Sequence, residues 1–221
     1  MVKKILLITS MFAIFIVFAA VGCSGYRFRT IDNPFGQYGI KSITIPMFQN
    51  RSSIPNVSGY FTRELINSLL RYPGLKVYSG EWHKTDAVLL GIITSAPYVR
   101  QAMGSGAGRE IQVGNRKKFY VSGGAGISLT VTLTLIKDPS HKDLEYFLST
   151  FSKYSFKHPS VILSQSIPVS ATYSNATAAG TESDGTGVLN FTNNKGQENY
   201  VIQNMAKTAA DNFREIVLYA F

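Results

Sequence analysis

The first 28 residues constrain this chain more than any other stretch, because they decide where the rest of it has to fold. Lys3 and Lys4 precede an apolar run from Ile5 to Val21, softened by Thr9 and Ser10, that ends in Ala19-Ala20-Val21-Gly22-Cys23. A basic start, an apolar middle and small residues at the end make an export signal. Cys23 is the only cysteine. It stands directly after Gly22, where a lipoprotein signal peptidase would cut and where the thiol would carry a diacylglycerol. Ala20-Val21-Gly22-Cys23 reads as a lipobox in which Ala20 occupies a place usually held by a larger aliphatic. Residues 1–22 are then the signal peptide and residues 23–221 the mature chain. A run of about 17 apolar residues also meets the lower bound for a membrane-spanning helix, so an uncleaved anchor is the competing reading. Both put the remainder outside the cytoplasm.

An exported chain with one cysteine has no internal disulfide, so its fold must rest on its core. Two or three acyl chains on Cys23, at roughly 0.8 kcal/mol per buried CH₂, would hold it in a bilayer persistently. Removal of residues 1–22 takes away Lys3 and Lys4 and no acid, so the formal charge falls from +9 to +7. Surplus positive charge on a tethered domain outside the cytoplasm points to lipid head groups or acidic glycolipid rather than nucleic acid, or simply to solubility.

Along the mature chain, Gly25–Arg29 alternates aromatic and basic residues as a half-buried strand does, and Asn33-Pro34-Phe35-Gly36 breaks it. Ile43, Ile45 and Met47 alternate with polar residues in a second strand that Pro46 confines to an edge or an ending. A helix is expected over Val57–Arg71, with Asn56 or Ser58 as cap, Phe61, Leu65, Ile66, Leu69 and Leu70 as core stripe, and Pro73-Gly74 as stop. Leu75–Tyr78 is a short strand. The continuous apolar run from Ala87 to Ile93 fits a central strand covered on at least one face. Leu129, Val131, Leu133 and Leu135 alternate with threonines in the clearest strand of all, with Leu144–Tyr154 as its expected hairpin partner. A final helix runs from Glu198 to Tyr219 with a stripe through Ile202, Met205, Ala209, Phe213 and Val217. The sum is an α+β fold: a two-layer sandwich with a mostly antiparallel or mixed sheet of about four to five strands and two helices on one face.

Two segments, about 100–126 and 158–197, are rich in Gly, Ser, Thr and Asn and read as long loops in a single domain. The first carries Arg100, Arg109, Arg116, Lys117 and Lys118. Five cations with few acids suit the phosphates or carboxylates of an anionic lipid, or make an ordinary solvated loop.

Catalytic chemistry finds little support. His83, His141 and His158 fall in no recognisable motif, and His141 beside Asp138 and Asp143 reads as a turn. A single cysteine and no HExxH spacing leave no metal site, and no cofactor is expected. Gly104-Ser105-Gly106-Ala107-Gly108 has Arg109 where a dinucleotide cradle needs its third glycine.

The order of motifs is more telling than any one of them. Cys23-Ser24-Gly25-Tyr26-Arg27-Phe28 resembles the Cys-Gly-Tyr-aromatic opening of the lipopolysaccharide-assembly lipoproteins, the LptE family, with an extra serine. Ile43-Thr44-Ile45-Pro46-Met47-Phe48-Gln49-Asn50 is similar to that family's Ile-x-Ile-Pro-x-Phe-x-Asn strand and turn, and Asp86–Ile93 to its Ala-Asp-x-x-Leu-x-Gly strand. The resemblance implies a non-enzymatic partner and plug of a large outer-membrane β-barrel, LptD-like, that inserts lipopolysaccharide into the outer leaflet. Ser24 after the cysteine resembles the sorting signal of outer-membrane lipoproteins. The other class such a domain fits is a lipid-anchored binding or activator domain for another envelope machine, such as a cell-wall synthase regulator or a secretion component.

Overall fold

The computed structural model describes residues 32–80, 84–95, 103–105, 108–111, 119–122, 124–143, 145, 158–174 and 191–220, with side chains described at 126 onward in the 124–143 stretch and not at 103–122 or 191. All of them lie in one unit, Asp32–Phe221. Cys23, the strand expected at Gly25–Arg29, and nearly all of the expected strand Leu144–Tyr154 lie outside the described residues.

In chain order the elements are β1 (Ser42–Ile45), β2 (Gln49–Arg51), α1 (Val57–Leu69), β3 (Lys76–Ser79), β4 (Ala87–Ser95), β5 (Met103–Ser105), β6 (Gly108–Ile111), β7 (Phe119–Ser122), β8 (Gly124–Lys137), β9 (Val161–Ser174) and α2 (Phe191–Ala220). Seven of the strands form one mixed sheet, and β6 and β7 form a separate pair. The apolar run became its middle, as its composition demands. β4 pairs antiparallel with β8 from Ala87↔Lys137 to Ser95↔Leu129. Its other edge is shared end to end by two short parallel strands, β1 at Ala87–Val88 and β2 at Ile92–Thr94. Pro46-Met47-Phe48 separates these two, because Pro46 has no N–H to give to a ladder. β3 flanks β1 in parallel, β9 lines the far edge of β8, and β5 continues the β4 column along β8 at Ile127. The seven strands therefore occupy only five columns, the width the sequence suggests.

The gap between β1 and β2 is filled by one side chain. Phe48 is buried, and its ring lies so close over Gly91 that a Cβ built there would sit 2.5 Å from it. Only glycine fits under a ring at that distance. The Phe48 N–H is donated to Thr62 Oγ1 at 3.0 Å, and that hydroxyl donates to the Ser58 carbonyl at 2.8 Å. A buried backbone donor is thus satisfied by the helix above it.

Both helices cover one face of the sheet. α1 contributes Val57, Phe61, Leu65 and Leu69, and α2 contributes Ile202, Met205, Ala206, Ala209, Phe213 and Val217, to a single core with Ile43, Leu89, Leu129, Leu133 and Ile167. The stripe expected for α1 holds except at Leu70, which is 56% exposed because the helix has ended. Asn56 does occupy the cap position, in the left-handed region at φ 61°, yet its side chain makes no capping bond. On the opposite face Val88, Leu90 and Ile136 form a second, smaller cluster, so β4 is apolar on both sides for a reason.

The two expected long loops need correction. Between 100 and 126 lie β5, β6, β7 and the start of β8, and between 158 and 197 lie all of β9 and the first turns of α2. The hairpin partner of the threonine-rich strand is therefore Val161–Ser174, paired from Gly124↔Ser174 to Ile136↔Val161. β9 has few large side chains because only one of its faces is covered: Leu163, Ile167 and Val169 are buried, and the residues between them are small and polar. A fourteen-residue edge on β8 supplies the ladder that the composition of β9 does not advertise.

Candidate functional site

Of the residues that carry the family resemblance, those from Ile43 onward hold the fold. Ile43 and Ile45 are fully buried, Phe48 seals Gly91, and Asn50 organises the turn before α1. Its Oδ1 accepts from the Ser52 N–H at 2.9 Å and from the Ser52 hydroxyl at 2.6 Å, while its Nδ2 donates to the Ile54 carbonyl at 2.7 Å. Asp86 clamps the start of β4 to the start of β1. One carboxylate oxygen accepts from the backbone N–H groups of Lys41 and Ser42, both at 2.9 Å, and from the Ser42 hydroxyl at 2.8 Å. These donors, the Lys41 N–H foremost, hold the carboxyl below its ordinary value of 3.8 against a small desolvation penalty.

The turn after β8 gathers the acids and histidines that a hydrolase reading would want. Ser140 and Asp143 satisfy each other instead: the Ser140 N–H is donated to Asp143 Oδ2 at 2.9 Å, and the Asp143 N–H to Ser140 Oγ at 3.2 Å. This is a reciprocal cap, and it pulls the Asp143 carboxyl below the usual range, with a smaller contribution from His158. His158 Nε2 lies 3.8 Å from Asp143 Oδ1, and its Nδ1 accepts from the Ser160 N–H at 3.4 Å. Ser140 Oγ is occupied as an acceptor of a backbone proton, which is a structural role. His141 and Glu145 pair at 3.5 Å on the surface, both largely exposed. A shallow groove of about 530 Å³ opens beside this turn, lined by Tyr38, Lys137, Asp138, Pro159, Ser160, Val161 and Ile162. Its one cation and one acid are adjacent in sequence, so it has no net charge with which to select an ion. Among the described residues no group of three metal-binding side chains occurs.

Of the five cations singled out for anionic lipid, Arg109 lies in β6, opposite Val121 in the β6–β7 ladder. Arg100, Arg116, Lys117 and Lys118 lie outside the described residues, the last three in the sequence that joins β6 to β7. Arg109 is thus borne on a two-stranded sheet separate from the main one.

The threonines opposite the apolar stripe of β8 suit an exposed sheet surface from sequence alone, and what sequence reasoning missed is that β9 extends this outward face. Ser128, Thr130 and Thr132 are half-buried, and Ser166, Pro168, Ser170 and Thr172 beside them are exposed. The hydroxyls pair across the strands, Thr132 with Ser166 at 2.9 Å and Thr134 with Ser164 at 3.1 Å. No residue in Gly126–Ile136 or in Val161–Ser174 carries a charge. The signal was present in the alternation of Leu163, Ile167 and Val169 with serines, but it is diluted by Gln165, Ala171 and Pro168.

No helix among the described residues is long and apolar enough to cross a membrane. No curated protein matches the chain at a significant level. Similar solved structures include a lipoprotein from Caulobacter crescentus, at 12% identity and TM-score 0.39 over 78% of this chain and 88% of that one. A PelC dodecamer from Paraburkholderia phytofirmans is similar at 12% identity and TM-score 0.35, over 76% and 84%. The rare lipoprotein B from Shewanella oneidensis is similar at 9% identity and TM-score 0.34, over 81% and 92%. The family whose pattern matches is LptE, lipopolysaccharide-assembly, across residues 40–215, which run from the entry to β1 nearly to the end of α2. The span takes in the Asp86 clamp, the Phe48–Gly91 seal and both helices, and on it the chain belongs to the LptE lipopolysaccharide-assembly family.

Proposed function

We propose that this chain is a non-enzymatic lipoprotein, anchored in the outer membrane through acylated Cys23, that partners and plugs an LptD-like β-barrel and takes part in placing lipopolysaccharide in the outer leaflet. The family match across residues 40–215 carries this reading. Two observations support it. The described motif residues Phe48, Asn50, Asp86 and Gly91 are spent on the fold. The leader ends in Gly22-Cys23, the arrangement that acylation requires. The five cations Arg100, Arg109, Arg116, Lys117 and Lys118 are the groups we assign to the phosphates of the glycolipid, by charge and by the bidentate geometry of arginine.

Gentle detergent extraction of the full chain, followed by mass spectrometry of what co-purifies, tests the reading. A β-barrel of the lipopolysaccharide-export type is the expected companion. A periplasmic or inner-membrane enzyme in its place would assign the domain to the activator class instead. In the same preparation, reversing the charge at Arg116, Lys117 and Lys118 lowers affinity for lipopolysaccharide vesicles at low salt, and unchanged affinity removes those cations from the site.

A further inference from the structure

Resting on the barrel-partner reading, we propose that the outward face of the β8–β9 hairpin is the surface that meets the polar inner wall of the barrel. Surfaces bathed by bulk water are normally sprinkled with charges of both signs, whereas the centres of protein interfaces are depleted of them. This chain carries 22 basic and 13 acidic residues, yet the exposed Ser166, Ser170 and Thr172 and the half-buried Thr130 and Thr132 beside them make a stretch that has none. A hydroxyl both donates and accepts. A face of serines and threonines therefore meets carboxylates, amides and guanidinium groups alike, and it does so without burying an ion of its own.

Shape selects the occupant. A closed barrel has no free strand edge, so its wall is contacted by side chains rather than by strand addition, and its interior is polar. Fourteen-residue strands rise about 45 Å at roughly 3.4 Å per residue, and both β8 and β9 have that length. They exceed the roughly 25 Å apolar band of an outer-membrane barrel. The exposed stretch from Ser166 to Ser174 alone rises about 27 Å, enough to span that band. The helices have their apolar stripes already buried against the other side of the sheet, and the exposed hydroxyls of β9 lie on this one.

The test places a photo-crosslinking amino acid at Ser166, Ser170 or Thr172 of the full chain, and at the exposed α2 positions Lys207 or Asp211, in cells that also produce the barrel. Several-fold more barrel adduct from the β9 positions than from α2 is the expected result. A second arm uses Ser166→Lys with Ser170→Lys, exposed changes that leave thermal unfolding unaltered. Burying two unpaired ammonium groups should lower barrel recovery by at least about tenfold. Adducts from α2 and none from β9, or full recovery of the barrel by the double variant, overturn the assignment of the face while the barrel-partner reading stands. If the unaltered chain recovers no barrel, that reading fails and the face falls with it.

Discussion

The two faces of β8 share one backbone and differ in almost everything else. On the helix side Ile127, Leu129, Val131, Leu133 and Leu135 are buried against α1 and α2. On the outer side, one residue along each time, Ser128, Thr130 and Thr132 look away from the helices and continue into the serines of β9. Side chains alternate strictly across a sheet, so a single strand can be core and surface at once. The comparison separates what holds this domain together from what it has to offer a partner. Most of the buried apolar side chains lie on one face; the other buries a small cluster at Val88, Leu90 and Ile136 and leaves its hydroxyl stretch half-buried at β8 and exposed at β9.

The sharpest way to break that division is to attack the covered face. Leu133 is buried between the helices and β4, opposite Gly91. Leu133→Ala should cost about 2–5 kcal/mol by deleting buried methyl groups and leaving a cavity, read as a lower denaturation midpoint in urea. A loss under about 1 kcal/mol would mean that the stripe is less tightly packed than its burial indicates.

Asp86 lies at the end of the sheet, where β1 and β4 enter it, and tests whether the fold also depends on polar groups at its rim. Asp86→Asn should cost about 1 kcal/mol at neutral pH, the net worth of hydrogen bonds to a partly exposed carboxylate. Its carboxyl is held below 3.8 in the folded chain. The native state therefore binds this proton less readily than the unfolded one. The contribution is full above the unfolded value and is lost as pH falls below about 4 and through the folded value. Chemical unfolding between pH 7 and pH 2 should show the gap between the parent and Asp86→Asn closing on the acid side. A gap constant across that range would remove the charge from the account.

The smallest effect is expected on the outer face. Thr132→Val keeps the branched shape that suits a strand and removes only the hydroxyl shared with Ser166. It should change stability by about 0.5 kcal/mol or less. A cost comparable to that of Leu133→Ala would show the hydroxyl face to be structural, and the contrast between the faces would collapse.

Much of this architecture was legible before folding because it is written in local periodicity. The stripe through Leu129–Leu135, the helix ahead of Pro73-Gly74 and the apolar continuity of Ala87–Ile93 each follow from spacing alone. β9 was not legible. Its apolar residues are too few to identify a strand by themselves, and what makes it one is the edge of β8. The expectation that Leu144–Tyr154 would be that partner came from proximity in sequence, which a short hairpin favours and a longer connection does not require.

The candidate site divides the same way. Cys23 and the five cations could be chosen from residue type and position. The threonine half of the hydroxyl surface could be read from alternation in β8, but its extension across β9 could not, because that exists only when two strands are laid side by side in register.

The sequence by itself determined the elements with strong alternation and the order of motifs that marks the family, since each depends on residues near one another in the chain. The tertiary structure alone decided that Phe48 needs a glycine 43 positions away, that Asp86 ties two strand ends together, and that β9 completes a charge-free face. Those are contacts across long separations, and a linear pattern holds no record of which distant residues will meet until the chain has closed on itself.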